Sequence, residues 1–173
     1  MESRLALFFI SLMLLTLGCS SDSTDDLFID CAYSAPEKIF SEDLPSVSLH
    51  HFQMGNMQAE ETLQFENGSK LKLIQSGCDY LKQAFEFSSP MLERQKSATY
   101  WVEESLNLLK MISQLGPEFI TYNSWASAIH QKTAEFELDK FLELQEGYYV
   151  KINHRNQKGD AILMLTLSEK PLD

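Results

Sequence analysis

The amino-acid sequence predicts an α+β domain, a largely antiparallel sheet of about five strands with two helices packed on it, in the order β-β-β-α-α-β-β. Apolar and polar residues alternate on both sides of Asn67-Gly68, as in a β-hairpin. The spacing of apolar residues becomes helical from Ala98, and Gly116 followed by Pro117 ends that pattern. Alternation then returns in the C-terminal third of the chain, which predicts the last strands.

The strand signals on either side of the hairpin are weaker. Residues 27–43 mix apolar residues with Pro36 and polar neighbours, which indicates a loosely docked segment. Residues 47–52 alternate only weakly between apolar and polar positions. After a break at Gly77, residues 81–87 alternate again and are predicted to form the third strand.

The length of the hairpin loop decides which side chains share a face. A two-residue Asn-Gly loop would place the leucines of the two strands on opposite faces. A three-residue loop over residues 66–68 pairs Leu63 with Leu71 and keeps the apolar residues on one face. We therefore expect the longer loop, with Gly68 in the left-handed conformation.

Two helices are predicted in the middle of the chain. The buried stripe of the first consists of Ala98, Trp101, Val102, Leu108, Leu109, Ile112 and Leu115. The second helix is shorter, covers residues 124–133 and buries Trp125, Ala126 and Ile129.

The C-terminal third is predicted to return to strands. Residues 148–152 alternate, whereas residues 161–167 are apolar at successive positions, which is typical of a central strand covered on both faces. Residues 138–144 are compatible with either a strand or a helix.

The N-terminus is predicted to carry an export signal. Residues 5–17 are almost wholly apolar, and this run of about thirteen residues is too short for a membrane-spanning helix, which needs about twenty. The run ends in Leu15-Thr16-Leu17-Gly18-Cys19, which resembles the lipobox of bacterial lipoproteins. The resemblance covers residues 1–19 only. It implies that Gly18 ends the signal peptide and that Cys19 is acylated and anchors the protein to the membrane.

This resemblance divides the chain into a signal peptide (1–18), an acylated Cys19 with a flexible acidic tether (19–26) and a single globular domain (27–173). Ser20 follows Cys19 where an aspartate would resemble an inner-membrane retention signal, so the outer membrane is favoured, on either face. An ordinary signal peptide, cut nearby and leaving Cys19 as a third thiol, is the alternative.

The net charge of the chain narrows the class of partner. A formal net charge of −11 disfavours nucleic acid and favours a basic protein partner, although solubility alone also explains an acidic surface.

If Cys19 is acylated, only Cys31 and Cys78 remain, and in an oxidising compartment they are predicted to form a disulfide. The alternative is that Cys78 is a reactive nucleophile.

No catalytic, metal or cofactor motif is found in the sequence. His50 and His51 are adjacent on a predicted strand, so they point to opposite faces and cannot bind one ion together. The other histidines are His130 and His154, both far away in sequence. The remaining candidates have ordinary structural explanations: Glu60-Glu61 and Glu103-Glu104 as solvated pairs, and Asp79 as a turn residue.

These observations favour a non-enzymatic, lipid-anchored protein-binding module of the cell envelope that needs no cofactor. Tyr80, Tyr148 and Tyr149 are the candidate interaction surface, because tyrosines anchor protein interfaces well. One alternative is an inhibitor or immunity protein against a cationic envelope-targeting enzyme or toxin. Another is a small hydrolase or ligand carrier whose site is assembled from distant residues, for instance around Asp79 and the isolated histidines.

We expect the protein extracted from membranes to have the intact mass of a chain that begins at Cys19 and carries added acyl groups. Cys19→Ser removes the thiol that the lipid requires, so this variant should lack the added mass and leave the membrane fraction. Mass spectrometry of both forms checks this expectation. An unacylated wild-type chain would contradict the lipoprotein prediction.

Overall fold

Seven antiparallel strands form one sheet in the computed structural model, which describes residues 28–55, 57–94 and 96–171. The strands are β1 (Val47–Gly55), β2 (Gln58–Phe65), β3 (Lys70–Ser76), β4 (Lys82–Ser88), β5 (Phe141–Gln145), β6 (Tyr148–Gln157) and β7 (Asp160–Ser168). Their order across the sheet is β1-β2-β3-β4-β7-β6-β5, so β1 and β5 are its edges. Helices α1 (Ala98–Ser113) and α2 (Ile120–Gln131) lie between β4 and β5 in the chain. The predicted signal peptide, Cys19 and the tether lie outside the described residues.

The fold class is confirmed, but the number and order of the strands differ from the prediction. The chain follows the order β-β-β-β-α-α-β-β-β, and the two additional strands are the edge strands β1 and β5. At the start of β1 polarity does not follow burial, because the polar His50 side chain is only 7% exposed whereas the apolar Leu49 is 54% exposed. β5 has only five residues and an irregular register. Edge strands therefore carry a weaker alternation than the strands between them.

The hairpin between β2 and β3 confirms the predicted register. Leu63 pairs with Leu71, and both are fully buried. The Phe65 N–H donates to the Ser69 carbonyl at 2.9 Å, and the Gly68 N–H donates to the Phe65 carbonyl at 3.0 Å. Gly68 has φ +84°, the left-handed conformation that a three-residue loop requires.

Both helices pack on one face of the sheet. α1 begins after Ser97, whose hydroxyl accepts a hydrogen bond from the Tyr100 N–H. Its buried residues are Trp101, Val102, Ser105, Leu106, Leu108, Leu109 and Ile112. They share one hydrophobic core with the inward side chains of β2, β3, β4, β6 and β7.

The second helix and the last strand each correct the prediction. α2 begins at Ile120, four residues earlier than predicted, because the chain turns directly from the Pro117–Phe119 3-10 turn into it. Trp125 is only half-buried, because the buried stripe of α2 consists of Tyr122, Ala126 and Ile129. No described helix covers the other face of the sheet, so Ile162 and Met164 of β7 are half-buried rather than enclosed on that side.

A buried carboxylate fixes the irregular segment that precedes β1. Glu61 is 0% exposed, and its two oxygens accept hydrogen bonds from the N–H groups of Ile39 and Phe40, each at 2.9 Å. His50 Nε2 lies 2.7 Å from Oε1 of the same carboxylate. Burying a carboxylate is costly unless its oxygens are hydrogen-bonded, and three partners meet that need here. The predictions of a loosely docked segment and of a solvated Glu61 were therefore wrong.

The Cys31–Cys78 disulfide holds the other end of the same segment, as predicted. The Tyr33 N–H donates to the Cys78 carbonyl at 3.1 Å, which extends the attachment along the backbone. The two cysteines are 47 positions apart. Closing a loop of that length contributes about 4 kcal/mol in the chain-entropy model.

Glu61→Gln should lower the free energy of unfolding by about 2–3 kcal/mol, since the amide offers one acceptor oxygen where two backbone N–H groups need one each. The adjacent Glu60 is a matched control, because it lies on the open face and pairs with Lys72 at 2.7 Å in contact with solvent. Glu60→Gln should change the stability by about 0.5 kcal/mol or less. Urea unfolding measures both, and equal effects would contradict the structural role of Glu61.

Candidate functional site

A cleft of about 220 Å³ opens at the end of the sheet next to the disulfide. Its wall on one side is the irregular N-terminal segment, and on the other side it is the ends of four strands and the side of α2. Its lining includes Pro36, Leu81, Gln83, Trp125, Tyr148 and Leu167. We refer to this site as the disulfide-end cleft.

Aromatic and aliphatic side chains form the mouth of the disulfide-end cleft. The rings of Trp125 and Tyr148 meet with their centroids 5.3 Å apart and their planes tilted by 53°. Tyr148 is 38% exposed and Leu81 is 49% exposed, so both present apolar surface to solvent. Large apolar side chains exposed around one concavity are typical of a binding surface.

The Gln83 side chain, which lines the cleft, is held by a polar contact from the core. The Tyr122 hydroxyl donates to Gln83 Oε1 at 3.1 Å. Burial raises the pKa of Tyr122 to about 12, so this hydroxyl stays protonated and remains a donor. Leu167 is buried beside Gln83, its pairing partner across β4 and β7.

The rim is held by Glu169. Its carboxylate accepts hydrogen bonds from the Tyr33 hydroxyl, at 2.9 and 3.1 Å, and from the Leu81 N–H at 2.8 Å. The hydrogen bond to Glu169 raises the pKa of the Tyr33 hydroxyl. Gly77 has φ +137°, and a Cβ at this position would lie 1.7 Å from the Tyr80 carbonyl oxygen. Only glycine therefore allows the turn that brings Leu81 to the rim.

The size and lining of the cleft indicate what it can hold. Pockets for small-molecule ligands usually measure roughly 300–1,000 Å³, so this cleft is closer to the size of one large side chain. Its titratable lining residues, among the described part of the chain, are Lys82, Tyr148 and Glu169. Glu169 is already engaged by Tyr33 and Leu81, and none of the described histidines or cysteines lines the cleft with it.

The structure separates the three tyrosines of the predicted interaction surface. Tyr148 lines the disulfide-end cleft. Tyr149, the next residue of β6, points to the open face of the sheet, and its pairing partner on β7 is Ser168. The Lys170 ammonium lies over the Tyr80 ring, with Nζ 5.1 Å from the ring centroid. Tyr80 does not line the cleft.

The isolated histidines and acidic residues do not converge. His50 binds Glu61 while His51 is exposed on the other face, as predicted for neighbours on a strand. His130 is exposed near the end of α2, and His154 stacks on Trp101 with ring centroids 4.4 Å apart. Asp79 and Glu103 are exposed, and Glu104 is half-buried. Within residues 28–55, 57–94 and 96–171, no three His, Cys, Asp or Glu side chains are grouped so as to hold a metal.

Apart from Tyr148, the cleft residues were missed in the sequence, among them Leu81, Trp125 and Leu167. Trp125 was expected in the core. A helix starting at Ile120 has its buried stripe at Tyr122, Ala126 and Ile129, which leaves Trp125 at the margin. If the predicted helix had included Tyr122, this stripe would have placed Trp125 at the margin of the buried face. Leu81 and Leu167 come together only through the pairing of β4 with β7, for which the sequence carries no local signal.

Comparisons with protein-family models, with curated proteins and with solved structures find no match to this chain. Among the described residues, no helix has the length and apolar character needed to span a membrane.

Proposed function

We propose that this protein is a lipid-anchored, non-enzymatic binding module of the cell envelope that takes up one large apolar side chain of a partner protein in the disulfide-end cleft. The observation that carries this proposal is the cleft itself. It is of side-chain size, its mouth is formed by Trp125, Tyr148 and Leu81, and its wall is fixed by a disulfide.

The energetics of protein interfaces favour such a site. Most of the binding energy of an interface comes from a few large side chains that enter well-packed pockets, and tryptophan and tyrosine are the residue types most enriched there. The cleft walls are tied to the sheet by Glu169 and the disulfide, so little ordering is needed when a partner binds. A preformed cleft of this kind gives affinity without a large conformational change.

The titratable groups of the cleft support binding rather than catalysis. Glu169 is engaged by two donors of the protein, the Tyr33 hydroxyl shared between its two oxygens and the Leu81 N–H, so it is not poised to take a proton from a substrate. The disulfide-end cleft, at about 220 Å³, is smaller than the roughly 300 Å³ or more that a drug-sized ligand needs. The hydrogen bonds of Glu169 disfavour the hydrolase alternative, and the volume of the cleft disfavours the carrier alternative. Both observations therefore support the binding module.

The location and the partner's charge are further parts of the proposal. Acylation of Cys19 would anchor the domain to the outer membrane through the short acidic tether of residues 19–26. The net charge of −11 favours a basic partner by long-range steering. An inhibitor or immunity protein against a cationic envelope-attacking enzyme is the most specific version of this function.

Random peptides displayed on phage and selected against the detergent-solubilised full chain test the proposal. Peptides with one large apolar residue beside Lys or Arg should be enriched. Tyr148→Ala should then weaken binding of a selected peptide by about tenfold or more, because it removes part of the cleft mouth. Tyr149→Ala is the matched control and should leave the affinity unchanged, since its side chain lies on the opposite face. Fluorescence anisotropy measures the affinities.

The two tryptophans locate the bound peptide. In protein labelled with 5-fluorotryptophan, the ¹⁹F resonance of Trp125 should shift on titration, while that of Trp101 in the core should not. The function proposed here would be wrong if Trp125 did not respond, or if Tyr148→Ala and Tyr149→Ala weakened binding equally.

A further inference from the structure

Strand β1 has one edge that pairs with no described residue. In the β2–β3 hairpin, the Phe65 N–H donates to the carbonyl of Ser69, the residue before β3, so the odd-numbered residues of β2 bond toward β3. Because such bonds alternate along an antiparallel strand, the even-numbered residues of β2, such as Thr62, bond to β1. Thr62 pairs with His51. The N–H and C=O groups of the even-numbered residues of β1 therefore point away from the sheet.

These outward groups belong to His50, Phe52 and Met54. No hydrogen bond from the described part of the chain reaches their backbone atoms on that side. An exposed row of unpaired N–H and C=O groups is a template for pairing with another strand. Proteins that remain monomeric usually protect such an edge with charges, proline, a bulge or a very short strand.

The two edges of this sheet differ in that protection. β5 has five residues, an irregular register and Glu143 within it. β1 has nine residues and is irregular only between Val47 and Leu49, at its beginning. From Ser46 to Ala59 the sequence contains no Asp, Glu, Lys or Arg, in a chain in which 23% of residues are charged. The edge of β1 is thus long, regular and uncharged.

We propose that two copies of this chain associate through their β1 strands, antiparallel and about a two-fold axis at Phe52, so that their two sheets become continuous. In this register Phe52 meets Phe52 of the second copy, and His50 meets Met54. None of His50, Phe52 and Met54 is acidic, so this contact brings no two negative charges together. The acidic residues that give each copy its net charge of −11 lie outside the paired strands.

The side chains next to the edge complement each other in this register. On the open face, Leu49, which is 54% exposed, would lie across from Gly55 of the second copy, where there is no side chain to obstruct it. On the helix face, Phe52 and Met54 line a shallow depression of about 350 Å³ together with Pro36 and Lys38. A strand added at β1 would cover this depression.

The β1 strand itself is separate from the disulfide-end cleft, because no residue of β1 lines that cleft. Ser34 and Pro36 line both the cleft and the depression beside β1. A closed two-fold contact uses the same surface on both copies and ends after two, which agrees with a single uncharged edge per chain. Substitutions of His51, Gln53 or Met54 therefore leave the lining of the cleft intact, and Tyr148→Ala leaves the β1 edge intact, so the two proposals can fail separately.

Disulfide trapping in the full chain tests the register. His51 and Gln53 of the second copy would form a non-hydrogen-bonded pair with Cα atoms about 4.5 Å apart, within the range that a disulfide spans. His51→Cys and Gln53→Cys, each with a different tag and expressed together, should give a crosslinked dimer on mild oxidation. Each variant alone should not, because equivalent positions would lie roughly 7–8 Å apart.

Met54→Pro provides the second arm of the test. The Met54 N–H points away from β2, so proline there removes no hydrogen bond within the sheet but blocks pairing of the edge. In the His51→Cys and Gln53→Cys background, Met54→Pro should reduce the trapped dimer by about tenfold while the melting temperature measured by circular dichroism changes little. The absence of a mixed dimer, equal trapping of a single variant, or crosslinking only to a different protein would each overturn the proposal.

Discussion

The hydrogen bonds to the Glu61 carboxylate hold an irregular stretch of backbone against a regular sheet. Residues 28–46 contain no helix or strand beyond a short turn, so their N–H groups need partners from elsewhere in the protein. Glu61 supplies acceptors for two of them from the middle of β2. It can do so while fully buried because His50 provides a third contact. Each of these groups would be costly to bury alone, so they stabilise the fold only as a set.

The position of this carboxylate connects the fold to the cleft. Ser34 and Pro36, which form one wall of the disulfide-end cleft, lie between the Glu61 contact on one side and the Cys31–Cys78 disulfide on the other. The Gln75 side chain donates to the Glu37 carbonyl at 2.8 Å between those two points. The wall is therefore fixed at both ends and in the middle, although it belongs to no secondary-structure element.

Local features of the sequence were sufficient for part of this account. The hairpin register follows from loop geometry around Gly68, α1 follows from its apolar stripe, and the disulfide follows from counting thiols. Each of these depends on neighbours in the chain or on elementary arithmetic. They were predicted for that reason.

The remaining features depend on tertiary contacts that leave no local pattern. Glu61 looks like half of a solvated acidic pair, and only the docking of Ile39 and Phe40 shows that it is buried. The edge strands β1 and β5 alternate poorly because they are covered on fewer sides. Of the cleft residues, only Tyr148 was singled out in advance. The others come together through strand pairing and the packing of α2.

Amide hydrogen exchange of the segment before β1 tests the central claim, that the cleft wall is a fixed part of the fold. The N–H groups of Ile39 and Phe40 should exchange within about tenfold of those of buried β2 residues such as Leu63, because they open only when the sheet does. Exchange of these two amides at the rate of an unstructured chain, with β2 still protected, would show that the wall is not held in place and would contradict a preformed cleft.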